Sequence, residues 1–98
     1  MIGNALKTSF LENLHTVFKA SRDETVFEME LIEVIDRKST PKQEQFSIFF
    51  RAPGDVPAEQ ALFHIEHAVL PSGELFMVPV ARDEQGLIFQ AVFNRLID

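Results

Sequence analysis

The chain of 98 residues contains no cysteine, no tryptophan and no tyrosine, and only four glycines. Without cysteine there is no disulfide scaffold, no Cys-ligated zinc or iron–sulfur site, and no thiol nucleophile. The glycines, at positions 3, 54, 73 and 86, are too scattered to build a phosphate-cradling loop. Basic residues are in deficit as well: nine Lys plus Arg against fifteen Asp plus Glu leave a formal charge of −6. That balance argues against a nucleic-acid partner, which asks for a basic face, and against an anionic membrane surface, which asks for Lys/Arg clusters. Long apolar runs are missing too. The longest, Leu75-Phe76-Met77-Val78-Pro79-Val80-Ala81, has seven residues, far short of the roughly 20 that cross a bilayer as a helix. The opening residues carry no basic region ahead of an apolar stretch, position 2 is Ile, and the end Leu96-Ile97-Asp98 has no prenylation Cys; a cytoplasmic location is expected.

What remains is 46% hydrophobic and 24% charged, the proportions of an ordinary globular protein, with length for one domain over residues 1–98. Turn signals fall at residues 37–45, 52–60, 71–73 and 83–86. Between them lie short runs rich in β-branched and aromatic residues, the pattern of an all-β barrel or sandwich. The first segment differs. Leu6, Phe10, Leu11 and Leu14 recur at helical spacing, and Ser9-Phe10-Leu11-Glu12 reads as a capping box. This predicts one short helix over residues 9–14, with Phe10 and Leu14 facing the core and the helix plugging an open end of the β structure.

Strand parity can then be followed along the chain. Phe27, Met29 and Leu31 share one face, after which the apolar phase flips to Ile32 and Val34. Such a flip predicts a β-bulge or a strand passing between packed sheets. Phe46, Ile48 and Phe50 point inward in the next run; Phe63, Ile65 and Val69 in the one after; Leu87, Phe89, Ala91 and Phe93 in the last. The run from Leu75 to Ala81 is apolar on both faces, but Pro79 cannot donate a ladder hydrogen bond, which predicts a bulge or an edge there. Five or six antiparallel strands result. Ten Phe are the whole aromatic set; lacking a polar handle, they belong inside, where each burial is worth about 2 kcal/mol. Yet Phe49, Phe76, Val78, Ile88 and Val92 fall on the parity opposite to their strands' inward sets. Either the helix and loops cover this second face, or it forms a contact with another subunit or partner.

Catalysis and metal binding find no foothold. His64 and His67 would point to opposite faces of a strand, so no metal shell is expected. His67 reads as a half-buried residue bonded to backbone near Pro71-Ser72-Gly73, and His15 as the end of the short helix. Ser72 is a turn residue, not a nucleophile elbow. Glu28 and Glu30 form a solvated face that discourages edge-to-edge aggregation. No catalytic residue and no cofactor are expected.

Four blocks nevertheless follow one another in a recognisable series: Phe46-Ser47-Ile48-Phe49-Phe50-Arg51-Ala52-Pro53, Phe63-His64-Ile65-Glu66-His67, Gly73-Glu74-Leu75-Phe76-Met77-Val78-Pro79-Val80, and Phe89-Gln90-Ala91-Val92-Phe93-Asn94. The series resembles a family of small bacterial proteins of about this length, without attached enzymatic activity. Its pattern has Gly where this chain has Ala52, Tyr where it has Phe89, and often Gly near the position of His15. His tolerates positive φ better than most residues, so that geometry can survive the change. No functional residues come with the resemblance; Phe50, Arg51, His67 and Asn94 match its recurring positions. Members are often encoded beside phage-tail-collar-type fibre proteins, which implies by association an accessory role in such an assembly.

The expectation is thus a non-enzymatic accessory or structural protein that binds another protein, with a fibre or tail-like protein as the implied partner and homo-oligomerisation as a further option. Phe49, Phe76, Val78, Ile88 and Val92 are the candidate contact residues. The alternative is a small β-barrel that encloses an apolar ligand; an enzyme would need a polar cluster assembled from distant segments.

Overall fold

Strands form where inward Phe, Ile, Leu and Met alternate with polar or outward residues. In the computed structural model, which describes residues 1–96, these are β1 (Val17–Arg22), β2 (Thr25–Asp36), β3 (Gln43–Ala52), β4 (Ala61–Glu66), β5 (Gly73–Asp83) and β6 (Gly86–Leu96). All pair antiparallel, and they close into a barrel in the order β1-β2-β3-β6-β5-β4. The fold is therefore a barrel and not a sandwich. Three hairpin-linked strands, β1 to β3, are followed by a fourth that returns beside the first, which is a Greek key; β4 to β6 repeat the arrangement against β3. Among the described residues no helix is long and apolar enough to cross a membrane.

Both irregularities read from the sequence are present as register shifts. The β2–β3 ladder shifts between Leu31 and Glu33, where the apolar phase flips. The β5–β6 ladder shifts between Pro79 and Ala81, where Pro lacks its donor. A bulge bends and twists its strand, and a narrow barrel needs that curvature to close.

The bore is filled by rings. Eight of the ten Phe are buried. Phe46 and Phe93 stack at one end with centroids 4.6 Å apart, and Phe10 leans on both. Phe18 meets Phe50 edge-on at 5.1 Å. Phe27, Phe63 and Phe89 form the third group, at 5.7 to 5.9 Å. Edge-on and stacked ring pairs of this kind add about 1 kcal/mol beyond the burial itself. At the far end Val56, buried in the 53–60 loop, closes over the third group.

The N-terminal plug starts earlier than the capping-box reading placed it. A 3-10 turn over Ile2–Asn4 leads into helix α1 over Lys7–Leu11, with Leu6 as N-cap and no side-chain cap bond. Ser9 lies inside the helix, its N–H bonded to the Leu6 carbonyl. Burial of Ile2 and Phe10 sets the phase here, and outweighs a local cap signal worth about 1 kcal/mol. Arg95 fastens the plug: its guanidinium lies over Phe46 and Phe93, pairs with Glu44 at 2.8 Å, and donates to the carbonyls of Gly3 and Ala5. Lys7 adds a 2.8 Å bond to Asp36. That bond and the backbone N–H of Ser39 hold the Asp36 carboxyl well below the usual carboxylate range. His15 then takes φ of 65°, the geometry a glycine would supply, and turns the chain into β1.

A second difference lies after β4, which ends at Glu66, so Val69 is exposed in the following turn and does not point inward. At the opposite hairpin, Gly86 has φ of 144°, and a Cβ there would stand 2.0 Å from the Ala52 carbonyl oxygen. Replacing Gly86 by Ala is expected to destabilise the protein by about 2 kcal/mol or more. Urea unfolding followed by far-UV circular dichroism measures this; an unchanged midpoint would refute the steric account.

Candidate functional site

The five residues of contrary parity come together on one outer face of the barrel. Gln90 stands at its centre. Across the strands Gln90 pairs with Val78 of β5 on one side and Phe49 of β3 on the other. Along β6 it is flanked two residues away by Ile88 and Val92, which project to the same side. Phe76 lies two residues from Val78 on β5 and pairs directly with Leu62 of β4. The face is not evenly covered. Phe49, Val78 and Ile88 are half-buried, whereas Phe76, Val92 and Leu62 are 53%, 63% and 52% exposed. Neither the helix nor a loop covers those three, so a large aromatic ring and two aliphatic side chains face water together.

Two polar groups at the centre of this face satisfy each other. Ser47 has outward parity yet is fully buried. Its hydroxyl accepts from Gln90 Nε2 at 3.0 Å, with Arg37 Nη1 a longer 3.4 Å away. Gln90 is thereby held flat against the sheet. At the border Arg51 pairs with Asp83 at 2.9 Å. The Asp83 carboxyl is pushed below its ordinary range, first by the backbone N–H of Gln85 and then by Arg51. The face is thus mainly apolar, with the Gln90–Ser47 bond inside it, the Arg51–Asp83 pair at one border and the exposed Glu33 opposite Phe49 at another. Its apolar part can bury itself against another apolar surface while these charges stay at the rim. It offers no group poised for acid–base or nucleophilic chemistry. Gln90 and Leu62 were missed by the sequence reading, because their place depends on which strands become neighbours.

The four recurring positions have structural roles. Phe50 is in the ring column, and Arg51 holds the β5–β6 hairpin through Asp83. Asn94 accepts from Gln43 Nε2 at 2.6 Å across β3 and β6. His67 is the most connected. Its Nδ1 accepts from the backbone N–H groups of Val69 and Leu70, at 3.0 and 3.2 Å, as expected of a residue bonded to that turn. Two donors aimed at Nδ1 put the proton on Nε2, which donates to Thr16 Oγ1 at 2.8 Å; Thr16 in turn donates to the Asn13 carbonyl. The ring also packs on Phe18 at 4.2 Å. This capture of backbone N–H groups turns the chain out of β4 and explains the exposed Val69. His64 points to solvent on the opposite side, so the two histidines do not converge. Among the described residues, no group of three or more His, Asp or Glu is placed to share a metal ion.

A family model described as Domain of unknown function (DUF6916) matches residues 7–93. The chain belongs to that family. The matched span contains all five outer-face residues, whereas the Ile2–Asn4 turn and the Arg95 that clamps it lie outside it. No curated protein and no solved structure matches the chain.

Burial lowers the His67 pKa from its ordinary value, so the folded state binds this proton less readily than the unfolded chain. The stabilisation is fully present above the unfolded value of about 6.5 and is lost as pH falls through the lower folded value. Melting temperature is therefore expected to decline from about pH 6.5 downward. His67→Asn, whose side-chain oxygen can still accept from the Val69 N–H, is expected to flatten that decline. An identical pH profile in the variant would refute the assignment.

Proposed function

We propose that this protein is a non-enzymatic accessory protein that docks another protein on the outer face around Gln90. The observation that carries this reading is the joint exposure of Phe76, Val92 and Leu62 on a strand-backed, rigid surface. Exposed apolar residues gathered on one face mark interaction sites more often than scattered ones do. A partner of different sequence is favoured over a second copy, because a formal charge of −6 on each chain opposes self-association. The ring column supports protein binding over enclosure of an apolar ligand: the bore is occupied by the chain's own Phe side chains. The resemblance to proteins encoded beside tail-collar-type fibres supplies the first partner to purify, a fibre or tail-like protein.

The test uses Phe76→Asp and Val92→Asp, with Val17→Asp, an exposed β1 position, as control. Circular dichroism first establishes that each variant folds. Titration of the purified fibre-like partner is expected to show binding to the parent and the control, and a loss of at least about tenfold in each face variant. Equal binding by all four proteins would sink the reading. A dimer of the parent in sedimentation, broken by Phe76→Asp, would overturn it in favour of a second copy.

A further inference from the structure

Although the barrel is closed, β2 outruns β3. The β2–β3 ladder ends at the pair Glu30–Arg51, and β3 stops at Ala52 because Pro53, next in line, has no N–H to continue it. The β2 residues beyond Glu30 pair only with β1. Backbone direction alternates along an antiparallel strand. Leu31 exchanges bonds with the β1 side, its N–H donating to the Thr16 carbonyl and its carbonyl accepting from His15. Met29 and Phe27 therefore address β1, while Glu28 and Val26 turn their N–H and C=O groups to the opposite edge. The 53–60 loop makes its backbone bonds within itself, Val56 to Pro53 and Glu59 to Pro57, and sends none to this edge. Between the edge and the loop lies an open groove of about 760 Å³.

We infer that this edge receives an extended, basic segment of a protein partner as an added strand. The charges lining the groove select the occupant. Glu24, Glu28 and Asp55 line it together with a single cation, Lys19, and Lys19 stands opposite both Glu28 and Glu66, reaching the latter at 3.7 Å. An incoming strand with Lys or Arg on one face meets these carboxylates while its backbone bonds Val26 and Glu28. The exposed Val26 offers an apolar contact for alternate residues of that strand. A second copy fits poorly, since two β2 edges brought together would oppose the carboxylates of one chain to those of the other. This site lies on different residues from the face around Gln90 and does not depend on it.

Two measurements test the inference. In the free protein, hydrogen exchange should be fast at the Val26 and Glu28 amides and slow at Phe27 and Met29. A fluorescent peptide of alternating Lys and Val should then bind and protect the two fast amides, whereas an alternating Glu and Val peptide should not. Glu28→Lys and Asp55→Lys are each expected to weaken the Lys–Val peptide by about tenfold. Val26→Pro removes one edge donor at a position where Pro is tolerated, and should abolish protection at Glu28. Slow exchange at all four amides, no binding, or equal binding of both peptides would overturn the inference. So would self-association of the parent that Val26→Pro abolishes.

Discussion

The narrow bore of a six-strand barrel is the constraint on which everything else in this fold rests. It admits little beyond a tightly packed core, and here eight phenylalanines form three ring groups running from the N-terminal plug to the 53–60 loop, with Met29, Leu31, Ile48, Ile65 and Met77 buried beside them. A ring without a hydroxyl or an indole N–H asks nothing of its surroundings except contact, so the column can be sealed completely. The seals are where polar chemistry returns: Arg95 lies over Phe46 and Phe93, and His67 covers Phe18. The remaining two, Phe49 and Phe76, stand at positions of outward parity, one half-buried and one exposed. The apolar outer face follows from that parity.

That face and the free edge of β2 offer two unlike surfaces. One is mainly apolar and strand-backed, which favours burial against a preformed surface. The other presents unpaired backbone and carboxylates, which favours an extended segment steered by charge. A protein that carries both can hold two elements of one assembly without any chemistry of its own. Under the proposed reading this division suits attachment, and three of the fifteen acidic residues gather in the groove.

Much of this was legible in the sequence wherever the information is local. The phase flip after Leu31 and the lone Pro79 each marked a register shift, because parity and a missing donor are properties of one strand. His15, near a position where the resembled family often has Gly, takes the positive φ that such a position allows. The outward parity of Phe49, Phe76, Val78, Ile88 and Val92 was visible too. Their gathering around Gln90 was not, because it requires β5, β6 and β3 to be neighbours, and strand order is decided by pairings distant in the chain. Arg95 was silent for the same reason: every group it hydrogen-bonds lies far away in sequence. The helix start was misplaced at Ser9 because a cap motif is a local preference, and the burial of Ile2 and Phe10 overrode it.

The closure of the barrel depends on its shortest ladder. Only Lys19, Ser21 and the Ala20 between them pair with β4, and the two strands are separated by β2, β3 and the long 53–60 loop. Chain entropy makes such a distant pairing late to form. The β3–β6 ladder joins residues as distant but carries ten pairs against three. Of the two long-range closures the β1–β4 seam thus has less pairing to offset its loop entropy, which makes it the place where added contacts would slow opening of the barrel.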